Sequence, residues 1–149
     1  MKIKKNILVI ILVLIIFLGG SLILANHTSY RHKSTDSVTS SNGLKISIRG
    51  KEDSKYMGHA KSKNKLTTIN MSIENQGSLN IPVGAIDFEV RLSNKKTISP
   101  DSGYDGFYTE MGKNSKDLES LYFKVPKSQY IEKLYYHTDR NNRVELDVN

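Results

Sequence analysis

Residues 86–92, Ile86-Asp87-Phe88-Glu89-Val90-Arg91-Leu92, show the strand pattern of this chain most cleanly. Apolar Ile86, Phe88, Val90 and Leu92 alternate with charged Asp87, Glu89 and Arg91. A period of two puts the apolar side chains on one face of a strand and the charges on the other. The same period recurs on both sides. Upstream, Leu44, Ile46 and Ile48 alternate with Lys45, Ser47 and Arg49 until Gly50, and a polar loop over 51–64 follows. Ile69, Met71 and Ile73 alternate next, closed by an Asn75-Gln76-Gly77 turn, and Leu79, Ile81 and Val83 form a short run in which Pro82 demands an edge position. Downstream, Ser93-Asn94-Lys95-Lys96 turns a hairpin into Thr97-Ile98. Leu121, Phe123 and Val125, then Leu134-Tyr135-Tyr136, then Val144, Leu146 and Val148 complete the set. Adjacent Tyr135 and Tyr136 must face opposite sides of their strand, one toward the core and one outside.

About seven short strands separated by turn residues, without a convincing helical period, predict an all-β fold, an antiparallel immunoglobulin-like β-sandwich over 44–149. The apolar faces nominate Ile46, Ile48, Ile69, Met71, Ile73, Phe88, Val90, Phe123, Val125, Leu134, Val144 and Leu146 as its core. Each such side chain contributes about 1.5–3 kcal/mol when fully buried. The chain has no cysteine, so that core must hold the fold without disulfides, and thiolate metal sites are excluded.

Four segments together carry a resemblance: Leu-Thr-Thr-Ile-Asn-Met-Ser-Ile-Glu-Asn-Gln-Gly (66–77), Ile-Asp-Phe-Glu-Val-Arg-Leu (86–92), Leu-Tyr-Phe-Lys-Val-Pro-Lys (121–127) and Glu-Lys-Leu-Tyr-Tyr (132–136). In this order they resemble the telokin-like, immunoglobulin-type extracellular domains of Gram-positive bacteria, a family without an assigned function. The resemblance covers roughly 44–149. It implies a sandwich in an extracytoplasmic compartment and supplies no catalytic residues. Members are typically secreted proteins or lipoproteins; this chain lacks the cysteine that a lipid would modify.

The front of the chain sets the compartment. Fifteen of the nineteen residues Ile7–Ala25 are Leu, Ile, Val or Phe, none is charged, and Lys2, Lys4 and Lys5 precede them. As a helix this stretch is roughly 28 Å long, close to the hydrocarbon thickness of a bilayer. The preceding lysines predict a cytoplasmic N-terminus and a C-terminal domain outside the cell membrane. Residues 1–25 are read as a retained transmembrane anchor, because apolar character resumes at Leu22-Ile23-Leu24 after Gly19-Gly20-Ser21. The alternative is a signal peptide cleaved after Ser21, which secretes the domain. Residues 26–43, rich in Ser, Thr, Asn and His, read as a flexible polar linker with a span of roughly 23 Å.

The stem's three lysines account for three of the +7 charges, leaving +4 on the exported part. That balance allows attraction to anionic envelope polymers or lipid head groups. No basic stripe or aromatic-basic RNA motif is present, and nucleic acid is not an expected partner.

Catalytic and metal-binding motifs occur only as fragments. Ser62-Lys63-Asn64-Lys65 and Ser93-Asn94-Lys95-Lys96 match S-x-x-K without the companion motifs that penicillin-binding chemistry needs. Asp101-Ser102-Gly103-Tyr104-Asp105-Gly106 imitates the start of a calcium loop, but Gly103 and Gly112 occupy positions that need oxygen ligands. His27, His32, His59 and His137 are scattered singly. No catalytic, cofactor or metal residue is assigned. The candidate contact surface is the loop 101–112, whose Tyr104, Phe107 and Tyr108 stand among glycines as amphipathic anchors. The expected function is a non-catalytic, membrane-tethered or secreted binding module for an envelope protein or anionic polymer. The alternatives are an envelope hydrolase or transferase using loop carboxylates such as Asp101, Asp105 and Glu110, and a structural subunit of an envelope complex.

Overall fold

The computed structural model describes residues 37–104 and 106–148. The expectations placed on the stem 1–25 and on 26–36 lie outside these residues. Among the described residues no helix is long and apolar enough to cross a membrane.

The described chain is all-β, and every strand pair in it is antiparallel. In order the strands are β1 (Ser37–Thr39), β2 (Leu44–Lys55), β3 (Asn64–Asn75), β4 (Ile81–Gly84), β5 (Phe88–Leu92), β6 (Thr97–Ile98), β7 (Tyr108–Met111), β8 (Lys116–Pro126), β9 (Ile131–His137) and β10 (Arg143–Asp147). One four-stranded sheet runs β1-β2-β3-β8, a second runs β10-β9-β5-β6, and β4 pairs with β7. A single apolar cluster joins them. It takes Ile46, Ile69, Met71, Ile73, Phe123 and Val125 from the first sheet, Phe88, Val90, Leu134 and Leu146 from the second, and Ile81, Val83 and Met111 from the β4–β7 pair.

Ten of the twelve expected core residues are buried; Ile48 and Val144 pack against the cluster half-covered. The alternation therefore did its work: β3 faces inward with Ile69, Met71 and Ile73, and β8 with Leu121, Phe123 and Val125.

Several boundaries need correction. Ser37–Thr39, expected in the linker 26–43, pairs with β2 through Ser37↔Ser47 and Thr39↔Lys45, so the sheet starts before Leu44. Gly50 does not end its strand. Arg49 is an extra residue in the pairing, leaving Ile48 opposite Met71 and Gly50 opposite Asn70, and β2 continues to Lys55. Residues 51–55 of the expected loop 51–64, and Asn64 at its other end, are thus strand, while 56–63 remain turn and loop. Ile86 is 88% exposed, because Ala85–Asp87 forms a 3-10 turn in which the Asp87 carboxylate accepts the Gly84 N–H at 2.8 Å. Leu79 is also exposed and precedes β4.

Tyr135 and Tyr136 do point to opposite faces, yet both are buried. Tyr136 lies tilted on Phe88, with 5.1 Å between ring centroids, and its hydroxyl accepts from Asn42 Nδ2 at 3.0 Å. Tyr135 is roofed by the Arg143 guanidinium, 4.0 Å from its ring centroid.

At one end of the first sheet, Asn75 is a buried polar knot. Its Nδ2 donates to the carbonyls of Leu79 (2.7 Å) and Met111 (2.8 Å), and its Oδ1 accepts the Gly77 N–H at 2.8 Å. These bonds tie the end of β3 to the following turn and to β7. Beside the knot, Gly43 has φ +89°, and a Cβ there would stand 3.2 Å from the Gly77 backbone.

Candidate functional site

At the opposite end of the first sheet, two turns close on each other. The first is the 3-10 turn Tyr56–Gly58 between β2 and β3. The second begins at Asp101, whose N–H donates to the Tyr122 carbonyl of β8 at 2.7 Å. Asp101 then folds its own turn: Oδ1 accepts the Gly103 N–H at 3.0 Å, and its carbonyl accepts the Tyr104 N–H at 3.1 Å. Tyr122 lies between inward-facing Leu121 and Phe123, so its ring stands on the outer face.

Three tyrosines meet there. Tyr104 stacks on Tyr122, with ring centroids 5.4 Å apart and planes 20° apart, and meets Tyr56 edge-on at 6.3 Å. The Tyr104 hydroxyl accepts the Met57 N–H at 3.1 Å. Met57 is held at φ +48°, a left-handed conformation uncommon outside glycine. A Cβ on Gly103 would come within 3.1 Å of Met57 Cε, so the methionine lies across the glycine of the other turn. Lys124 places Nζ 4.7 Å from the Tyr56 ring centroid. The Tyr56 phenol is held above the usual tyrosine range, first through the Asp101 carboxylate beside it and then through burial.

The expected trio is therefore divided. Tyr104 belongs to this aromatic clasp. Phe107 turns inward and packs against the core, 6.0 Å from Phe88, while its carbonyl accepts the Ala85 N–H at 2.9 Å. Tyr108 opens β7, opposite Gly84, and is 78% exposed. Tyr56 and Tyr122 were missing from the expected site. The position of Tyr122 was legible in the alternation Leu121-Tyr122-Phe123; its contact with Tyr104 was not.

No family model matches the chain, and no curated protein matches it. The backbone is similar to that of the yjhA protein from Bacillus subtilis, with a TM-score of 0.53 and 13% identity. The match covers 76% of this chain and 96% of that one. At such identity the likeness is one of fold.

Around the clasp the polar groups are mainly basic. Residues 55–65 contain Lys55, Lys61, Lys63 and Lys65 with His59 and no acid. The end of β8 adds Lys124, and Lys127 follows it, its N–H donating to the Lys63 carbonyl and its Nζ to the Ala60 carbonyl, both at 3.0 Å. Asp53 accepts from Lys65 Nζ (2.7 Å) and from the buried Thr67 hydroxyl (2.6 Å). Burial pulls the Asp53 carboxyl upward, but these two hydrogen bonds and the neighbouring lysines hold it below the usual carboxylate range.

The two described loop carboxylates, Asp101 and Glu110, sit in different hydrogen-bonded settings. Asp101 is engaged by its own turn, Glu110 on β7 accepts from Asn80 Nδ2 at 3.2 Å, and Asp105 lies outside the described residues. Among the described residues no group of three His, Asp or Glu side chains could hold a metal ion. Glu119 on β8 titrates above its usual range, first through burial and then through the charge of Asp117.

Proposed function

We propose that the chain is a non-catalytic, membrane-tethered extracytoplasmic binding module whose body is an immunoglobulin-like β-sandwich. In this reading residues 1–25 form a retained anchor with Lys2, Lys4 and Lys5 on the cytoplasmic side, and 37–148 act outside the membrane. The observation that carries the binding role is the clasp itself. Three tyrosine rings from β2–β3, the 101–104 turn and β8 are fixed by stacking and by the Met57 N–H to Tyr104 hydroxyl bond, at an end of the sheet ringed by lysines. Ordered aromatic side chains give contact area at little entropic cost, which is how binding surfaces on loops commonly work.

Capture from envelope extracts with the tagged full-length chain tests the reading. The partner retained by the wild type should be lost on Tyr104→Ala combined with Tyr122→Ala, while the circular dichroism of the β-fold persists. A partner retained equally by the folded double variant overturns the site. Fractionation with mass measurement tests the tether: an intact N-terminus in the membrane pellet agrees with it, and a species beginning near Leu22 in the medium contradicts it.

A further inference from the structure

We infer that the lysine-ringed end around the β2–β3 hairpin is a binding site for a phosphate-bearing anionic polymer. The inference rests on the binding-module reading above and names the class of ligand for that surface. Six lysines gather there: Lys55, Lys61, Lys63, Lys65, Lys124 and Lys127. Among the described residues only Lys65 of these has a carboxylate within ion-pair range, that of Asp53. Lys55, Lys61, Lys63, Lys124 and Lys127 are exposed. At physiological ionic strength the screening length is about 8 Å, so lysines on one hairpin and the adjoining strand end act on a polyanion together.

The chemistry favours phosphate over planar carboxylate. No arginine occurs in 51–65 or 120–130, so the bidentate fork that grips carboxylates is missing, and all the cations are compact ammonium groups. Lys124 is steadied over the Tyr56 ring and the Lys127 ammonium on the Ala60 carbonyl, which limits the freedom two of them lose on binding.

The shape favours a flexible chain over a bilayer. Lys124 stands on the outer face of β8, whereas Lys55 and Lys65 lie in the row of buried Val125, on the opposite face. A plane of head groups meets only one side of such a hairpin; a polymer can bend around it. The tip, Gly58-His59-Ala60-Lys61-Ser62-Lys63, has no large apolar side chain to enter acyl chains, and Met57 is drawn back across Gly103.

The test is lysine footprinting of the full-length chain in a non-ionic detergent, with long-chain inorganic polyphosphate as the probe. Acetylation at Lys61, Lys63, Lys124 and Lys127 should slow several-fold with polyphosphate, while Lys113 and Lys116, at the other end of β8, keep their rates. Raising salt should abolish the protection, and Lys61→Glu with Lys63→Glu should weaken binding about tenfold or more with an unchanged dichroism spectrum. Equal protection of all lysines, or none, overturns the site. Protection by anionic lipid doped into the micelle without protection by polyphosphate overturns the polymer in favour of a membrane surface. A chain that ignores polyphosphate yet loses its captured partner on Tyr104→Ala with Tyr122→Ala defeats the polymer and leaves the binding module standing.

Discussion

Replacing Asn75 by Ala should be among the most damaging single changes to a polar side chain in this domain. The side chain is fully buried and makes three hydrogen bonds, two to the carbonyls of Leu79 and Met111 and one from the Gly77 N–H. At about 1 kcal/mol net per bond, the loss comes to about 3 kcal/mol. For a domain of this size that corresponds to a fall in Tm of about 10–20 °C. Asn75→Asp sharpens the test. One carboxylate oxygen can still accept from Gly77, but the other replaces a donor that lies 2.7 and 2.8 Å from two carbonyl oxygens. At neutral pH this variant should be at least as unstable as Ala, and acid should narrow its deficit, because the protonated carboxyl can donate once. Urea unfolding followed by circular dichroism measures both. A cost below about 1 kcal/mol for Ala, or an Asp variant as stable as wild type at pH 7, would refute the bonding assigned to this knot.

Gly43→Ala should destabilise by about 1–3 kcal/mol in the same assay, since φ is +89° and the new Cβ would meet the Gly77 backbone at 3.2 Å. Tyr104→Phe keeps the stack on Tyr122 but removes the acceptor for the Met57 N–H; amide exchange should quicken at Met57 while β3 stays protected. The Asp53 carboxyl is held low, so its stabilisation is present at neutral pH, above the unfolded value of about 3.9, and is lost as pH falls through the folded value. Asp53→Asn should therefore be less stable than wild type at pH 7, and the gap between the unfolding midpoints of the two proteins should narrow as pH falls below about 3.9.

Much of the fold was legible because a half-buried strand writes a period of two into its sequence. Phe88, Val90, Ile69, Met71, Ile73, Phe123 and Val125 are where that period puts them. It fails where burial does not alternate with apolarity. The end of β2, Lys51-Glu52-Asp53-Ser54-Lys55, reads as loop because Asp53 faces the Thr67 hydroxyl there instead of an apolar neighbour. Ile86 shares the parity of Phe88 but precedes the strand in a turn set by Asp87, so parity without pairing misplaced it. Three residues, Ser37-Val38-Thr39, are too few for a period at all, and only pairing with β2 makes them a strand. The clasp was half legible. Aromatics beside glycines marked the 101–112 loop, but the stacking of Tyr104 on Tyr122 depends on how that turn lies against β8, a contact across 18 residues that no local pattern encodes. Phe107 and Tyr108, neighbours in sequence, part for an ordinary reason: at the start of β7 successive side chains leave on opposite faces.

Because the sequence contains no cysteine, a single introduced thiol tests the proposal that the domain is exported and works through its lysine-ringed end. Lys61→Cys puts one thiol on the exposed hairpin tip, and a membrane-impermeant maleimide reports which side of the membrane it occupies. Labelling in intact cells at the rate seen after lysis, slowed by added polyphosphate, is the predicted result. Labelling that needs lysis would contradict the account.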